Sequence, residues 1–131
     1  MTALDVVRAH YEASERGDLD GMLAVLAPDA RWTEAAGSAY AGTYTGPAAI
    51  RAGVFERIGA DWSAFAAEVD ELLPAGPTVV ALGRYHGTHR ATGDSATARF
   101  AHVWRVVGDR VVEFEQVADT ALIRAAEGHP A

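Results

Sequence analysis

The strongest indication of the fold lies in residues 78–117, TVVALGRYHGTHRATGDSATARFAHVWRVVGDRVVEFEQV. This segment holds three runs rich in β-branched and aromatic residues, at 78–88, 95–107 and 110–117. A segment containing Gly and Asp at 90–94 separates the first two runs, and Gly108-Asp109 separates the last two. Runs of this composition joined by short turns predict a long antiparallel β-meander.

The middle run of this meander has no wholly polar face. By strict alternation Phe100, His102 and Trp104 share one face, while Ala101 and Val103 lie on the other. We therefore expect both faces of the sheet to be covered, at least in part. Helices can cover only one side of so small a sheet, so we expect a second copy of the chain on the outer face, giving a homodimer.

Two short helices are predicted before the sheet. Thr2-x-x-Asp5 has the pattern of a capping box, and the apolar stripe after it continues for about 13 residues to a stop at Gly17. Asp18 can cap a second helix, which Pro28 ends because proline cannot continue an α-helix. The segment 30–34 then reads as a brief strand around a tryptophan.

The middle of the chain alternates loop, helix and strand signals. Residues 35–46 are small and rich in glycine, which predicts a loop, and Pro47 then starts a third helix that ends at Gly59. The segment 65–73 fits both helical and strand spacing; we choose a strand, because a turn at 74–77 follows and leads into the meander. From Thr120 the apolar pattern predicts a short terminal helix that frays over 128–130.

Composition limits the possible partners. The 131 residues are 50% apolar, which predicts one core and one domain over 1–131. A formal charge of −7 opposes binding to nucleic acid and to anionic membranes. No apolar run approaches the roughly 18–20 residues of a membrane-spanning helix, so we expect a cytoplasmic protein that does not enter a membrane. With no cysteine, disulfides and thiolate metal sites are excluded.

Several short sequence segments resemble those of a known protein family. The order helix, helix, short strand, helix and four strands resembles the nuclear transport factor 2-like superfamily, and in particular its SnoaL-like polyketide cyclase and ketosteroid isomerase-related group. The segments that resemble this group are 16–19 with Leu23, 29–32, 44–47, 92–93, 100–104 and 119–120. The resemblance implies an α+β fold, in which a cone-like, curved antiparallel or mixed sheet packs with N-terminal helices around a pocket.

The same resemblance implies a chemistry. It suggests a cofactor-independent and metal-independent isomerase or cyclase that acts by general acid/base catalysis on a small hydrophobic carbonyl compound. Two alternatives stay open: a non-catalytic small-molecule binding domain, and an epoxide hydrolase-like enzyme in which Arg84 or Arg99 assists Asp119. The sequence shows no phosphate loop, dinucleotide fingerprint or nucleophile elbow.

Asp119 is the residue that the resemblance assigns as general base. A carboxylate in an apolar pocket has a raised pKa and can take a proton from carbon near neutral pH. The other interpretation is equally strong: followed by Thr120, Asp119 can cap the terminal helix, where backbone N–H groups weaken it as a base. We expect His102 or Tyr44 to assist, and a dyad of His102 with Asp119 is a hypothesis.

The remaining candidates are expected to line the pocket. Tyr11 lies on the apolar stripe of the first helix, so core packing is its more ordinary role. Glu113 and Glu115 fit a solvated strand face, and His86-x-x-His89 lacks the register of a metal site. The expected lining residues are Tyr11, Trp32, Trp62, Phe55, Phe100, Arg84, His86 and Val117.

Overall fold

The structure is a computed structural model that describes residues 1–129. The helices are α1 (Ala3–Glu15), α2 (Leu19–Ala24), α3 (Pro47–Ile50), α4 (Glu56–Asp61) and α5 (Thr120–Ala126), with a π-helical turn (Arg51–Phe55) joining α3 to α4. The strands are β1 (Leu26–Glu34), β2 (Gly42–Thr45), β3 (Trp62–Ala75), β4 (Thr78–His89), β5 (Ser95–Val107) and β6 (Arg110–Ala118). None of the helices within residues 1–129 is both long and apolar enough to cross a membrane.

The six strands form one curved, unclosed sheet in the order β2-β1-β6-β5-β4-β3. All neighbouring strands are antiparallel except β1 and β6, which pair in parallel. The three predicted runs are present as β4, β5 and β6, and the ambiguous segment is a strand, β3. The predicted α+β class, with a curved sheet and N-terminal helices, is therefore confirmed.

Helix α1 begins as the sequence predicts. The Thr2 hydroxyl accepts a hydrogen bond from the Asp5 backbone N–H at 3.1 Å, and the Asp5 carboxylate accepts one from the Thr2 backbone N–H at 2.9 Å. This reciprocal pair is a capping box, and it satisfies two of the helix's free donors. The buried face of α1, which carries Val6, Val7 and Tyr11, packs on the concave side of the sheet.

The structure differs from the predictions around β1 and β2. The second helix ends at Ala24, and β1 already begins at Leu26, two residues before Pro28. The proline fits because β1 bulges against β6 between Leu26 and Arg31, so its missing N–H leaves no gap in a regular ladder. The predicted glycine-rich loop also contains a short edge strand, β2, which pairs with the end of β1.

A second bulge, after the one in β1, lies at the start of β3. The register of β3 against β4 shifts between Ser63 and Ala66, and Ala64 has φ 52°, in the left-handed region. At this bulge Phe65, Ala66 and Ala67 all border the cavity, with Phe65 and Ala67 half-buried and Ala66 exposed. On the opposite wall the π-helical turn presents Phe55 to the same space. The bulge and the π-helical turn thus both contribute side chains to the cavity wall.

Candidate functional site

A cavity of about 390 Å³ lies between the concave face of the sheet and helices α1, α2 and α4. Its volume falls within the range of small-molecule sites. Most of its surface is hydrocarbon or aromatic, with the polar groups gathered on a few side chains. The lining residues central to the site are His10, Tyr11, Trp32, Glu34, Phe55, Trp62, Tyr85, His102, Phe114 and Gln116.

Glu34 is the acidic residue of the cavity. It stands at the end of β1, two residues after Trp32, and the strand's alternation turns both side chains inward. The carboxylate accepts a hydrogen bond from Trp32 Nε1 at 3.0 Å, and the residue is only 4% exposed. Burial raises the pKa of Glu34 from 4.5 to about 7, because the charged form loses its hydration. Near neutral pH the carboxyl group therefore exists in both protonation states.

His102 links two tyrosines on the sheet side of the cavity. Its Nδ1 lies 2.5 Å from the Tyr11 hydroxyl, and its Nε2 is hydrogen-bonded to the Tyr85 hydroxyl. Burial lowers the pKa of His102 well below its ordinary value, so the ring is neutral. A neutral imidazole carries one N–H and one lone pair, and it donates to one tyrosine while accepting from the other.

Each tyrosine hydroxyl also accepts a hydrogen bond from a second side chain. Trp104 Nε1 donates to the Tyr11 hydroxyl at 2.9 Å, and Gln116 Nε2 donates to the Tyr85 hydroxyl at 2.9 Å. One of the two tyrosines also accepts a hydrogen bond from the His102 N–H. Its hydroxyl oxygen then accepts two hydrogen bonds, and its own O–H has no acceptor among these partners. In either tautomer of the histidine, one tyrosine hydroxyl is therefore free to donate a hydrogen bond.

Gln116 and Tyr85 connect this network to the Glu34 side of the cavity. The Gln116 side-chain carbonyl accepts from the Ala35 backbone N–H at 3.0 Å, which fixes the orientation of the amide. The charge of Glu34 adds to burial in raising the pKa of Tyr85, so the carboxyl group and this phenol lie near one another. The site thus combines a carboxyl group that titrates near neutrality with a free phenol donor.

Several residues proposed from the sequence do line this cavity. Tyr11, Trp32, Phe55, Trp62 and His102 all contribute to its wall. Tyr11 and His102 do so through hydrogen-bonded polar atoms, whereas the others contribute ring surface.

Asp119 requires a correction. It is exposed and forms the N-cap of α5, where its carboxylate accepts from the Leu122 backbone N–H at 3.4 Å. Its own N–H pairs with the Arg99 carbonyl, three residues from His102 and therefore roughly 10 Å along the strand. Asp119 is therefore a helix cap, as the second interpretation proposed. It is not a buried base and forms no dyad with His102, because β6 ends before this position.

Three further candidates lie outside the cavity wall. The Tyr44 hydroxyl donates to the Tyr40 carbonyl at 2.7 Å, so this side chain anchors β2 instead of assisting at the site. Val117 is 54% exposed on the outer side of β6. Phe100 is buried and stacks on His102 with ring centroids 3.9 Å apart, which supports the histidine from behind.

Arg84 and His86 lie on the outer face of β4, and this corrects their assignment to the pocket. Arg84 pairs with Glu68 and Asp70, each at 3.2 Å, and His86 Nε2 lies 2.8 Å from Glu68. Arg99 pairs with Asp70 at 3.1 Å on the same face. The physical reason is the alternation of the strands, which sends these positions away from Tyr85 and His102. An arginine-assisted arrangement with Asp119, as in the epoxide hydrolase interpretation, is not formed.

The sequence reasoning missed Glu34, His10, Tyr85 and Gln116. A signal for Glu34 was present, since the spacing Trp32-x-Glu34 puts an acid on the same strand face as a large aromatic residue. The same alternation places Tyr85 opposite Arg84 and His86, and Gln116 on the face of Phe114. Charged and amide residues at such positions are usually solvated, so alternation alone did not single them out.

Comparison with known proteins agrees with this architecture. Residues 7–114 match the family model of the SnoaL-like domain. No curated protein matches the chain. An NTF2-like protein from Burkholderia thailandensis is 45% identical, with 97% of this chain and 98% of that chain covered and a TM-score of 0.95.

Two other solved structures extend the comparison. An NTF2-like protein of unknown function from Burkholderia pseudomallei is 36% identical, with 95% of each chain covered and a TM-score of 0.87. IdmH from Streptomyces antibioticus, a proposed polyketide cyclase, is 24% identical, with 98% and 100% covered and a TM-score of 0.79, and shares the fold. The chain therefore belongs to the SnoaL-like domain family and has the NTF2-like fold.

Proposed function

We propose that this protein is a cofactor-independent isomerase or cyclase that acts by general acid/base chemistry on a small hydrophobic carbonyl compound. The observation that carries the proposal is the carboxyl group of Glu34, which is 4% exposed in a largely apolar cavity that Tyr11 and Tyr85 also line. This assignment replaces Asp119 with Glu34 as the base.

The pKa of Glu34 suits a general base. A base is most effective when its pKa lies near the working pH, because it must be ionised to accept a proton and basic enough to hold it. Burial brings the pKa of Glu34 to about 7, whereas an exposed glutamate near 4.5 would be a much weaker base. The apolar cavity is thus the physical origin of the proposed reactivity.

The tyrosines supply the complementary charge stabilisation. Removal of a proton next to a carbonyl pushes an electron pair onto the carbonyl oxygen and creates an enolate. A preorganised phenol O–H stabilises that oxygen, and its effect is larger in a dry site than in water. Either Tyr11 or Tyr85 has such a proton free, depending on the tautomer of His102. Ketosteroid isomerase likewise combines a carboxylate base with hydrogen-bond donors to the enolate oxygen in an apolar site.

The proposed reaction needs no other participant. Glu34 takes the proton from the carbon next to the ligand carbonyl, and the C–H electron pair becomes the enolate. In an isomerisation, the Glu34 carboxylic acid returns that proton to a different carbon of the conjugated system. In a cyclisation, the enolate carbon instead forms a bond to a second carbonyl carbon, and the proton goes to the oxygen of that carbonyl.

The aromatic wall favours a flat ligand. Trp32 and Phe114 stack with ring centroids 3.7 Å apart, and Phe55 meets Trp32 edge-on at 5.4 Å. Trp62 and Phe65 close the opposite side, with ring centroids 5.9 Å apart. Such walls offer dispersion contacts to planar rings and no competing charge.

Deuterium exchange tests the proposal. Small aromatic and alicyclic ketones, such as 2-tetralone and 1-indanone, are incubated with the protein in D₂O, and loss of the α-hydrogen signal is followed by proton NMR. We expect the wild type to accelerate the exchange and Glu34→Gln to lower that acceleration about 100-fold or more. Asp119→Asn, a competent helix cap outside the cavity, is the matched control and should match the wild type.

Two results would count against the proposal. Equal exchange by the wild type and Glu34→Gln would remove Glu34 as the base. Saturable ligand binding with no exchange of any ketone would favour the non-catalytic binding domain, in which the same cavity only holds its ligand.

A further inference from the structure

His10 presents a second polar atom to the cavity that the proposed reaction does not use. The residue lies on the buried face of α1, is 4% exposed and lines the cavity. Its Nδ1 lies 3.0 Å from the Met22 carbonyl oxygen. A carbonyl oxygen only accepts hydrogen bonds, so Nδ1 must carry the hydrogen. Helix α2 thereby fixes both the orientation and the tautomer of the ring.

The other ring nitrogen is left with a lone pair. Burial lowers the pKa of His10 to about 4, so near neutral pH the ring is uncharged and Nε2 is an acceptor. Within residues 1–129, Nε2 has no hydrogen-bond partner, since the only bond of this side chain is the one to Met22. Nε2 is not among the fully enclosed unpaired atoms of residues 1–129, so it keeps accessible surface, and a donor group of a ligand in the cavity can reach it.

The neighbouring rings do not supply that donor: the Tyr11 hydroxyl is held by His102 and Trp104 and forms no hydrogen bond with His10 within residues 1–129. His10 contacts Tyr11, Trp32 and Trp104, with ring centroids 5.2, 5.9 and 4.7 Å away. The Trp32 N–H donates to the Glu34 carboxylate, and the Trp104 N–H donates to the Tyr11 hydroxyl. The indole donors beside His10 are thus committed to the other polar groups of the site.

We infer that His10 Nε2 is a specificity-determining acceptor that binds a hydroxyl group of the ligand, so that the ligand class is a hydroxylated, ring-bearing carbonyl compound. This inference rests on the proposed function, because it assigns a second contact in the same cavity. Trp32 lies between the two contacts, with its N–H on Glu34 and its ring beside His10. The ligand carbonyl would meet the Glu34 side, and its hydroxyl would meet His10 across the face of the indole.

This arrangement distinguishes ligands by whether they supply a hydrogen-bond donor to His10 Nε2. A ligand with a hydroxyl at this position satisfies Nε2, whereas an analogue without the donor covers the acceptor and leaves it unpaired in an apolar site. Sites that hydrogen-bond a ligand hydroxyl reject analogues lacking it more strongly than apolar pockets distinguish ligands by size. One net hydrogen bond corresponds to about a tenfold difference in affinity.

Binding of a matched probe pair tests the inference. The dissociation constants of 2-naphthol and 2-methoxynaphthalene are measured by calorimetry for the wild type, His10→Phe and His10→Gln. We expect the wild type to prefer 2-naphthol about tenfold, His10→Phe to lose that preference, and His10→Gln, which keeps an acceptor on a side chain of similar reach, to retain it. Asp119→Asn, a change outside the cavity that keeps the cap of α5, is the control, and its preference should match that of the wild type.

A second measurement does not depend on any variant folding. In the nitrogen NMR spectrum of the wild type, His10 should show a protonated Nδ1 and an unprotonated Nε2, and 2-naphthol should shift the Nε2 resonance while 2-methoxynaphthalene does not. A wild type that binds both probes equally, or a His10→Phe variant that keeps the preference, would overturn the inference and leave the Glu34 exchange result untouched. Failure of both probes to bind would overturn it as well. A preference that depends on His10, in a protein with no ketone exchange, would support the inference and reject the catalytic proposal.

Discussion

Replacing Glu34 with Gln changes how the stability of the protein depends on pH. The substitution keeps an oxygen that can accept from Trp32 Nε1 but removes the titrating group. Any part of the pH dependence that vanishes in the variant therefore belongs to Glu34.

The sign and size of the effect follow from the pKa values. The pKa of Glu34 is about 7 in the folded protein and 4.5 as the ordinary value. Between these values the unfolded chain releases a proton that the folded chain retains, so the free energy of unfolding falls as pH rises. One pKa unit corresponds to about 1.4 kcal/mol, so the full loss is about 3 kcal/mol between roughly pH 4.5 and 7.

His10 changes the unfolding free energy with pH in the opposite direction. The effect of Glu34 is therefore taken from the difference between the wild type and Glu34→Gln. Its pKa falls from 6.5 to about 4 on folding, so its contribution to stability is present above pH 6.5 and is lost as pH falls toward 4. His102 has the same sign. Both histidines are present in the wild type and in the variant, so their contributions cancel in the difference.

Urea unfolding followed by tryptophan fluorescence gives the free energy of unfolding of each protein from about pH 4.5 to about pH 8. We expect the stability of Glu34→Gln relative to the wild type to rise by about 3 kcal/mol over this range. A stability difference that does not change with pH would mean that burial does not raise the pKa of the Glu34 carboxyl group, contrary to this prediction.

Three further outcomes are expected. Ala64 has φ 52°, so Ala64→Gly should relieve strain and raise the unfolding free energy by about 1 kcal/mol in urea titrations, and a destabilised variant would contradict this. A Cβ on Gly83 would lie 2.2 Å from the Glu68 carbonyl oxygen, so Gly83→Ala should lower the melting temperature and cost about 1–3 kcal/mol; an unchanged temperature would speak against this close approach. We propose that a second copy of the chain covers the outer sheet face around the half-buried Val103 and the 67% exposed Val107. Light scattering should then give twice the mass of one chain, and the mass of a monomer would exclude the dimer.

Most of the sheet could be predicted because its signals are local. Alternating apolar residues and Gly or Asp turns specify β4, β5 and β6 from neighbouring positions alone. Strand β2 has no such signal: its four residues, Gly42–Thr45, carry one aromatic side chain, and they form a strand only because β1 provides a partner. The early start of β1 similarly depends on pairing with β6, across a large separation in sequence.

The candidate site was harder to predict because its residues come from distant segments. Asp119 stood at the position that the resemblance favoured, yet local capping of α5 determines its placement. Glu34 becomes unusual only when Trp32, Tyr85 and the helices exclude water from it, and no local pattern reports that burial. Alternation can tell which side chains share a strand face, but not which face encloses a cavity.

A direct titration of the Glu34 carboxyl group is the most decisive measurement. Carbon NMR of the glutamate side-chain carboxyl carbons, recorded across pH for the wild type and Glu34→Gln, identifies the resonance that disappears in the variant. We expect this resonance to titrate with a pKa of about 7. A pKa near the ordinary 4.5 would contradict it, since a carboxyl group of that kind is hydrated and is too weak a base for the proposed reaction.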